Sequence, residues 1–537
     1  MLSYRKLAMR VLGRPLHTGG SDSPRPASQR AAAFVLTAAM LITLAAPAFA
    51  GTWYIENGDI TVKAGETKGT NKVSQGANQE VEDTNTIITN ENKDTASSNT
   101  VTIETNDKND KVEVTLKDVN IDTSSRNNAA VSVTGEGDTN IKLDGDNALK
   151  SDTYRSGIYG SGSLTISGGE NDSLTAQGGS GANGISSSGS LTISGGTVTA
   201  NGDDGGRGIS SSGSVTISGG STVTANGGSG TISGGDGICS SGGVTISGGS
   251  TVTANGGNGG SLVGGDGIRS GGGLTVSDGT VTAKGGNGDS KDGYGGDGIR
   301  SGGVVTISGN TVNAAGGYGG KVGGYGICSF DRVAISGGTV EAAGGNGSTG
   351  GGSGIYSSVI DLSGSLELTA KAGSPTGKAL LQNGHELNLD DIKEKLGPGA
   401  KVTATDADGK VIDQVSTPRP VEPEESSSSS DGGSATPSAP ASSLPGLTVT
   451  DKDGQRISYT STQSGNTLTV CVGRFTASFR ISLAALRQLR AEGIETIAFQ
   501  TVLCSTSLSV DELLAMGGED AEAVLTHRFT DSSLTVG

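Results

Sequence analysis

The dipeptide Gly-Ile recurs through the middle of the chain at intervals of 24 to 31 residues. Two further signatures follow each copy, L/V-T-I-S-G-G and then T-V-T-A-x-G-G. The copies begin at Gly157, Gly184, Gly208, Gly237, Gly267, Gly298, Gly326 and Gly354. A period in this range is typical of a solenoid, in which each repeat forms one layer that cannot bury its apolar face alone. The repeat therefore constrains the fold far more tightly than the ligand.

Each repeat holds three short alternating segments bounded by Gly, Ser, Asn or Asp, the pattern of strands joined by turns. The fifth copy, residues 267–297, reads GIRSGGG, LTVSDG and TVTAKGG before a Gly-rich insert. An amphipathic helix would need apolar residues at i, i+3, i+4 and i+7, and the repeat does not have them. We therefore expect a mainly β chain that forms a right-handed parallel β-helix with three short strands per coil.

Alternation also assigns the interior of each coil. In the fifth copy the inward side chains are Ile268, Leu274, Val276, Val281 and Ala283. Coils stack about 4.8 Å apart, so equivalent residues form continuous aliphatic columns. An aromatic content of 3% suits so thin a core.

Outward positions form columns as well, one of them threonine at Thr275 and its equivalents. The position two after each repeat glycine carries Tyr159, Ser186, Ser210, Cys239, Arg269, Arg300, Cys328 and Tyr356. Its two cysteines are three coils apart, roughly 14 Å, too far for a disulfide. The 94 glycines are expected to allow tight corners with positive φ.

Composition divides the chain into a signal peptide (1–50), the β-helix (51–415), a disordered Pro/Ser/Glu-rich linker (416–446) and a small α+β domain (447–537). Within the β-helix we expect irregular N-terminal coils at 51–156, regular repeats at 157–355 and a C-terminal cap at 356–415.

The last domain should contain a helix that begins after Ser482 and ends before Gly493. Whether Cys471 and Cys504 pair is left open. Its expected role is attachment or assembly, through a cell-surface partner.

The first 50 residues have the three parts of a secretory signal: a basic start, an apolar stretch at 31–46, and Ala48-Phe49-Ala50 as a cleavage site. An uncleaved anchor is the alternative, but the apolar stretch is short for a membrane span. Cleavage would remove six basic residues and one acidic residue, taking the net charge from −17 to −22. We therefore expect an extracellular protein, secreted or held non-covalently at the cell surface. No nucleic-acid binding and no transmembrane span in the mature chain are expected.

The stretch NIKLDGDNALKSDTYRSGIYGSGSLTISGG and the repeats that follow it resemble a family of secreted bacterial β-helix proteins described as carbohydrate-binding domain proteins. The resemblance covers roughly residues 51–375. It implies a right-handed β-helix and, for the best-known type, calcium-dependent binding of polygalacturonate, a plant cell-wall glycan, without cleavage. No binding residue of the family is matched at a particular position here.

Three consecutive coils carry an aspartate directly before the repeat glycine, at Asp236, Asp266 and Asp297. Carboxylates stacked roughly 5 Å apart repel each other, and a calcium ion with oxygen ligands would relieve the repulsion. The alternative is that each aspartate opens a tight glycine turn and caps backbone amides. Calcium is the only cofactor that the sequence indicates.

Arg269 and Arg300 lie one coil apart, each three residues after one of these aspartates. Guanidinium groups suit the carboxylates of uronic acids. The alternative is a solvated face that balances the aspartates. Tyr294, Tyr318 and Tyr325 lie in the nearby inserts, where they either stack on sugar rings or decorate loops.

Candidate catalytic residues are scarce. Only His385 and His527 follow the leader, in different predicted domains, so a Ser-His-Asp triad is not expected, and we assign no catalytic residue. The sequence favours a non-catalytic module that binds acidic polysaccharide. A structural stalk or adhesin and a polysaccharide lyase are the alternatives.

Overall fold

The computed structural model describes residues 50–418, 447–450, 456–457, 459–464, 466–472, 477–501, 505–516, 521–527 and 532–536. The predicted signal peptide, except Ala50, and most of the predicted linker lie outside these ranges. The chain divides into two compact units, Met1–Glu422 and Pro423–Gly537.

The first unit is a parallel β-solenoid of about 13 turns. Three strands make one turn, because in the regular coils each strand pairs in parallel with the strand three positions further along the chain. The solenoid therefore has three faces, named here for the order of their strands within a regular repeat. Its parallel three-strand architecture confirms the solenoid prediction, whereas its handedness stays a prediction.

The first face contains the Gly-Ile strands. Its strands are Ile60–Ala64, Val101–Glu104, Val131–Thr134, Ile158–Gly160, Ile185–Ser187, Ile209–Ser211, Ile238–Ser240, Ile268–Ser270, Ile299–Ser301 and Leu380–Gln382.

The second face contains the L/V-T-I strands. Its strands are Thr52–Tyr54, Ile87–Thr89, Lys111–Lys117, Asp138–Asp144, Leu164–Ser167, Leu191–Ser194, Val215–Ser218, Val244–Ile246, Leu274–Val276 and Val305–Ile307.

The third face contains the T-V-T-A strands. Its strands are Asn120–Asp122, Asp146–Lys150, Ser173–Ser180, Thr197–Asp203, Thr222–Asn226, Ser250–Asn255, Gly279–Lys284, Thr311–Ala315 and Lys401–Thr405. Two long strands, Ile327–Ala343 and Ile355–Lys371, bend through all three faces.

Antiparallel strands cover the outermost strands of the faces. Asn71–Gln75 pairs with the first strand of the first face, and Asn78–Asp83 adds to it. At the other end His385–Glu386 covers the first face and Val411–Ser416 the third. Short 3₁₀-helices span Ile55–Asn57 and Leu389–Lys395. Such hairpins leave fewer free backbone groups at the edges for another chain to pair with.

The interior matches the alternation of the sequence. Ile268, Leu274, Val276, Val281 and Ala283 all have 0% exposure. Each aligns with its equivalent in the next coil, as Ile268 does with Ile299 and Leu274 with Val305. The core is one continuous aliphatic cluster, and the inside and outside assignment of the regular repeats is confirmed.

The outward column of the first face has the predicted register: Cys239 aligns with Arg269, Arg269 with Arg300, and Arg300 with Cys328. The same column continues to Tyr159 in one direction and to Tyr356 in the other. Both cysteines carry free thiols.

The glycines allow positive-φ corners, as the sequence predicted, and they also allow close approach of neighbouring backbones, which it did not predict. Gly219 and Gly220 of a T-I-S-G-G signature have φ of 69° and 70°, the expected positive-φ corner. Gly265 in an insert is different. It lies outside the left-handed region, and a Cβ there would overlap the carbonyl oxygen of Gly235 in the preceding coil. The inserts need glycine because neighbouring backbones approach closely.

The described residues of the second unit form two four-stranded sheets and two helices. One sheet comprises Leu447–Thr450, Ala477–Ser482, Glu522–His527 and Ser532–Val536; the other comprises Thr460–Ser464, Thr467–Cys471, Thr496–Gln500 and Ser505–Ser509. The helices are Leu483–Ala491 and Val510–Met516.

The first of these helices has the predicted boundaries. The Ser482 hydroxyl accepts the Ala485 N–H at 3.2 Å, and Gly493 has a φ of 91°. Cys471 carries a free thiol that donates to Gln500 Oε1 at 3.5 Å, whereas Cys504 lies outside the described residues.

Candidate functional site

Asp236, Asp266 and Asp297 are buried side by side in three successive coils, and we call them the Asp ladder. Their relative solvent exposures are only 5%, 3% and 4%. One oxygen of each accepts the backbone N–H at the equivalent position of the next coil. Asp236 Oδ1 accepts from Asp266 at 2.9 Å, and Asp266 Oδ1 accepts from Asp297 at 2.8 Å. Asp297 Oδ1 accepts from Tyr325 at 2.7 Å. The ladder therefore links coils through backbone amides.

The second oxygen of each aspartate pairs with an arginine. Arg269 Nε lies 2.8 Å from Asp266 Oδ2, and Arg300 Nη1 lies 3.4 Å from Asp297 Oδ2. Arg207 completes the series, with its Nε 3.2 Å from Asp236 Oδ2. These arginine side chains are 39–43% exposed. Each therefore pairs with a buried carboxylate and is also accessible from solvent.

Burial changes the acidity of the Asp ladder. It raises the pKa of Asp297 to about 7, and the charge of Asp266 adds to the increase. The pKa of Asp266 is also raised, by burial and then by the charge of Asp236. For Arg269, burial alone would lower the pKa, but the charges of Asp266 and Asp236 outweigh it and raise it. Adjacent buried carboxylates repel each other here, as the sequence predicted, and arginines and amides compensate them.

These contacts show that the ladder aspartates cap backbone amides, which was the alternative to a calcium site. The partners of Asp266 and Asp297 are amide and guanidinium nitrogens, and Asp236 has the Cys239 thiol as a further partner. Within the described ranges, no group of three or more His, Cys, Asp or Glu side chains is arranged to hold a metal ion. Calcium binding at Asp236, Asp266 and Asp297 stays a prediction.

Arg269 and Arg300 are direct neighbours on the first face, as predicted, and Cys239 and Cys328 flank them. The Arg300 guanidinium carbon lies 5.2 Å from the centre of the Phe330 ring, a cation–π distance. Burial raises the pKa of Cys239 to about 11 and that of Cys328 to about 12. Both thiols are therefore protonated at neutral pH, so no thiolate competes with an anionic ligand for the arginines.

The three candidate tyrosines separate into two groups. Tyr325 joins the Asp ladder through its backbone and stacks on Tyr356, with ring centres 5.1 Å apart. Tyr294 and Tyr318 lie on the Gly-rich inserts, 43% and 47% exposed. Lys321 Nζ is 5.6 Å from the centre of the Tyr294 ring. The structure thus places Tyr325 next to the arginines and the other two on the edge of the inserts.

An open cleft of about 460 Å³ lies over the start of the Asp ladder. We call it the arginine cleft, because Arg207, Asp236 and Arg269 line it together with glycines of the inserts. The sequence analysis missed Arg207. Its signal was its position directly before the repeat glycine Gly208, the place that aspartate occupies in the next three coils.

A second groove of about 620 Å³ lies further toward the N-terminus on the same face. We call it the tyrosine groove, because Tyr154 and Tyr159 line it, 79% and 40% exposed. Arg155 and several hydroxyl side chains, among them Ser132 and Ser186, complete its wall. The sequence placed Tyr159 on the outward column but gave Tyr154 no role.

The two histidines that follow the predicted leader lie in different units. His385 is exposed on the short strand His385–Glu386 of the first unit. His527 is buried in the second, where its Nε2 lies 2.9 Å from the Thr506 hydroxyl, and burial lowers its pKa.

No protein-family model, no curated protein and no solved structure matches the chain. Among the described residues, no helix is long and apolar enough to cross a membrane.

Proposed function

We propose that the solenoid is a non-catalytic module that binds an acidic, pectin-like polysaccharide. The observation that carries this proposal is the row of arginines beside an open cleft: Arg207, Arg269 and Arg300 are each fixed by a buried carboxylate, with the guanidinium partly exposed. Arginine is the side chain best suited to pair with the carboxylate of a uronic acid.

The buried carboxylates prepare these arginines for a ligand. A free arginine loses much rotamer freedom when it binds, whereas Arg269 is already held through Nε by Asp266 and Asp236. Arg300 is held by Asp297 and by the ring of Phe330. Tyr325 and its partner Tyr356 offer an aromatic surface at the end of the same row. Tyr294 and Tyr318 could reach the ligand only from the inserts.

Affinity electrophoresis in gels containing polygalacturonate tests the proposal. Retardation of the native protein is expected, and Arg269→Ala with Arg300→Ala should reduce it about tenfold or more, since each lost charged contact weakens binding by roughly 1–3 kcal/mol. Arg332→Ala with Arg487→Ala is the matched control: it removes the same two charges from exposed residues outside both clefts. Equal retardation of the double variant and the control would contradict the site.

Calcium belongs to the proposal as a separate, testable part. If Asp236, Asp266 and Asp297 share cations, calcium should raise the melting temperature, because a ligand that binds only the folded state stabilises it. The triple Asp→Asn variant should lose this response. If the triple variant still responds to calcium, the ions bind at other residues. If the native protein does not respond, calcium is not part of the site.

A polysaccharide lyase and a structural stalk or adhesin are the other candidates. Release of unsaturated uronides from polygalacturonate, seen as ultraviolet absorbance, would identify a lyase. The stalk is favoured by the length of the solenoid, since about 13 turns rise roughly 60 Å. Failure to bind any member of a broad polysaccharide panel would leave the stalk as the better interpretation.

The proposal includes an extracellular location. We expect the predicted leader, residues 1–50, to direct export, and the second unit, which follows the predicted Pro/Ser/Glu-rich linker, to attach the solenoid to a cell-surface partner. Detection of the mature protein in the medium or on intact cells, with an N-terminus at Gly51, would support this part.

A further inference from the structure

We propose that the arginine cleft and the tyrosine groove form one channel along the first face, and that a linear acidic polysaccharide lies in it parallel to the solenoid axis. In this arrangement sugar rings contact Tyr154 and Tyr159, and an anionic group of the same chain pairs with Arg207 and Arg269. The inference rests on the proposed function and gives it a direction, a minimum ligand length and a second subsite.

The two depressions meet at Tyr154. Its ring lies over Gly181, because a methyl group added at Gly181 would come within 2.9 Å of Tyr154 Cε1. Gly181 is part of the wall of the arginine cleft, while Tyr154 is part of the wall of the tyrosine groove. The same side chain therefore borders both.

A second connection runs along the outward column. Ser186 lines the tyrosine groove and aligns with Ser210 in the next coil. The Ser210 hydroxyl accepts from Arg207 Nη1 at 3.5 Å, and Arg207 lines the arginine cleft. The channel thus passes from one depression to the other over small hydroxyl side chains, which leave room for a ligand and offer it hydrogen bonds.

The two ends differ in chemistry. At one end are two exposed tyrosine rings with the hydroxyls of Thr102 and Ser132, a combination that suits the apolar face and the hydroxyl rim of a sugar ring. At the other end are Arg207 and Arg269, which suit a carboxylate. A polysaccharide that carries both sugar faces and acidic groups satisfies both ends at once.

The backbone of Tyr154 is an independent indication. Its φ is 59°, in the left-handed region, where a bulky residue is a genuine outlier. Glycine would adopt this conformation without strain, yet a large, 79% exposed aromatic ring stands there. Strained residues of this kind concentrate at binding sites.

The register sets the length of the ligand. From Tyr159 to Arg269 the column passes Ser186, Ser210 and Cys239, a distance of four coils or roughly 19 Å. Arg207 is bonded to Ser210, about two coils or roughly 10 Å from Tyr159, so a monosaccharide cannot contact both ends and only a longer oligomer reaches Arg269 as well. Affinity should therefore increase with oligomer length until the channel is spanned, and then level off.

Isothermal titration with galacturonate oligomers of increasing length tests the channel, using the full chain and the variant Tyr154→Gly with Tyr159→Ala. The long oligomers should bind the variant at least tenfold more weakly, while the shortest should bind it nearly as they bind the native protein. Tyr154→Gly alone controls for folding, since it relieves the positive φ and should melt no lower than the native protein. Tyr54→Ala removes an exposed tyrosine on the second face and should change no affinity.

The outcomes separate this inference from the proposed function. Binding that is weakened by Arg269→Ala but unaffected by the tyrosine variant, with no dependence on length, would overturn the channel and keep the polysaccharide site. Length-dependent binding weakened by both sets supports the channel. Absence of binding by the native protein would overturn both.

Discussion

At the scale of single residues, the Asp ladder shows how one side-chain type serves two needs. Each aspartate connects two coils through a backbone amide and holds an arginine. The arrangement places carboxylates in a buried site next to one another, which is unfavourable for the charged form. Stability near neutral pH should therefore depend on the protonation of this ladder.

Asp297→Asn should make the protein less sensitive to rising pH. The pKa of Asp297 is raised from 3.8 to about 7 in the folded state, so the folded protein binds a proton more tightly than the unfolded chain. Its contribution to the free energy of unfolding is therefore present at low pH and is lost as the pH rises toward 7. When the pH is raised from 5 to 8, the free energy of unfolding of the variant should therefore increase by about 2–3 kcal/mol relative to that of the native protein. Denaturant unfolding at both pH values measures this difference, and equal changes in the two proteins would contradict it.

Ile268→Asp and Thr275→Asp should differ widely in stability. Ile268 has 0% exposure in an aliphatic column, so a carboxylate there has no polar partner and should cost more than about 4 kcal/mol. Thr275 points outward on the next strand, so Thr275→Asp should lower the free energy of unfolding by less than about 1 kcal/mol. Thermal unfolding followed by circular dichroism compares them. Similar melting temperatures would be incompatible with the buried column.

At the scale of the repeat, the Gly-rich inserts form a hydrogen-bonded ladder of their own. Gly257 N–H donates to Gly235, Gly265 to Gly257, and Gly286 to Gly265, each at 2.8 Å. The bonds alternate between glycines of one insert and glycines of successive inserts, so the ladder runs along the solenoid axis. It satisfies backbone groups that an irregular insert would leave to solvent.

Gly265→Ala should be far more damaging than Gly220→Ala. At Gly265 the new methyl group overlaps the backbone of Gly235, which cannot move aside without breaking the ladder, so we expect a loss above about 3 kcal/mol. At Gly220 nothing lies within 4 Å and only the positive φ of 70° is unfavourable, which costs about 1–2 kcal/mol. Denaturant unfolding of both variants tests this, and the reverse order would show that turn conformation, not close packing, selects the insert glycines.

Within the repeat, the sequence predicted which side chains point inward and which are aligned, but not the contacts that form only when coils stack. Alternation placed Ile268 inside and Thr275 outside, because a strand has a period of two and every coil repeats it. It aligned Arg269 with Arg300 for the same reason. It missed Arg207, whose partner Asp236 is 29 residues away and becomes a neighbour only when coils stack. Tyr154 was invisible because its backbone conformation and its contact with the next insert are properties of the folded chain.

At the scale of the whole molecule, charge opposes the proposed ligand. The chain has a net charge of −17, and loss of the predicted leader would make it more negative. A polyuronate approaching from a distance is repelled, and attraction begins only near Arg207, Arg269 and Arg300. Long-range repulsion and short-range pairing respond differently to salt, because screening removes distant interactions first.

Association with immobilised polygalacturonate should therefore accelerate as sodium chloride rises from 10 to 150 mM at a fixed calcium concentration, measured by biolayer interferometry. The screening length falls from about 30 Å to about 8 Å over this range, which removes most of the repulsion but leaves contacts at hydrogen-bond distance. An increase of at least about threefold is expected, followed by weaker binding near 1 M, where the screening length is about 3 Å. Arg269→Ala with Arg300→Ala should keep the early acceleration but dissociate faster, because it loses pairing and not repulsion. Association that slows steadily from 10 mM upward would instead indicate a long-range cationic surface, which would place the ligand outside the arginine cleft.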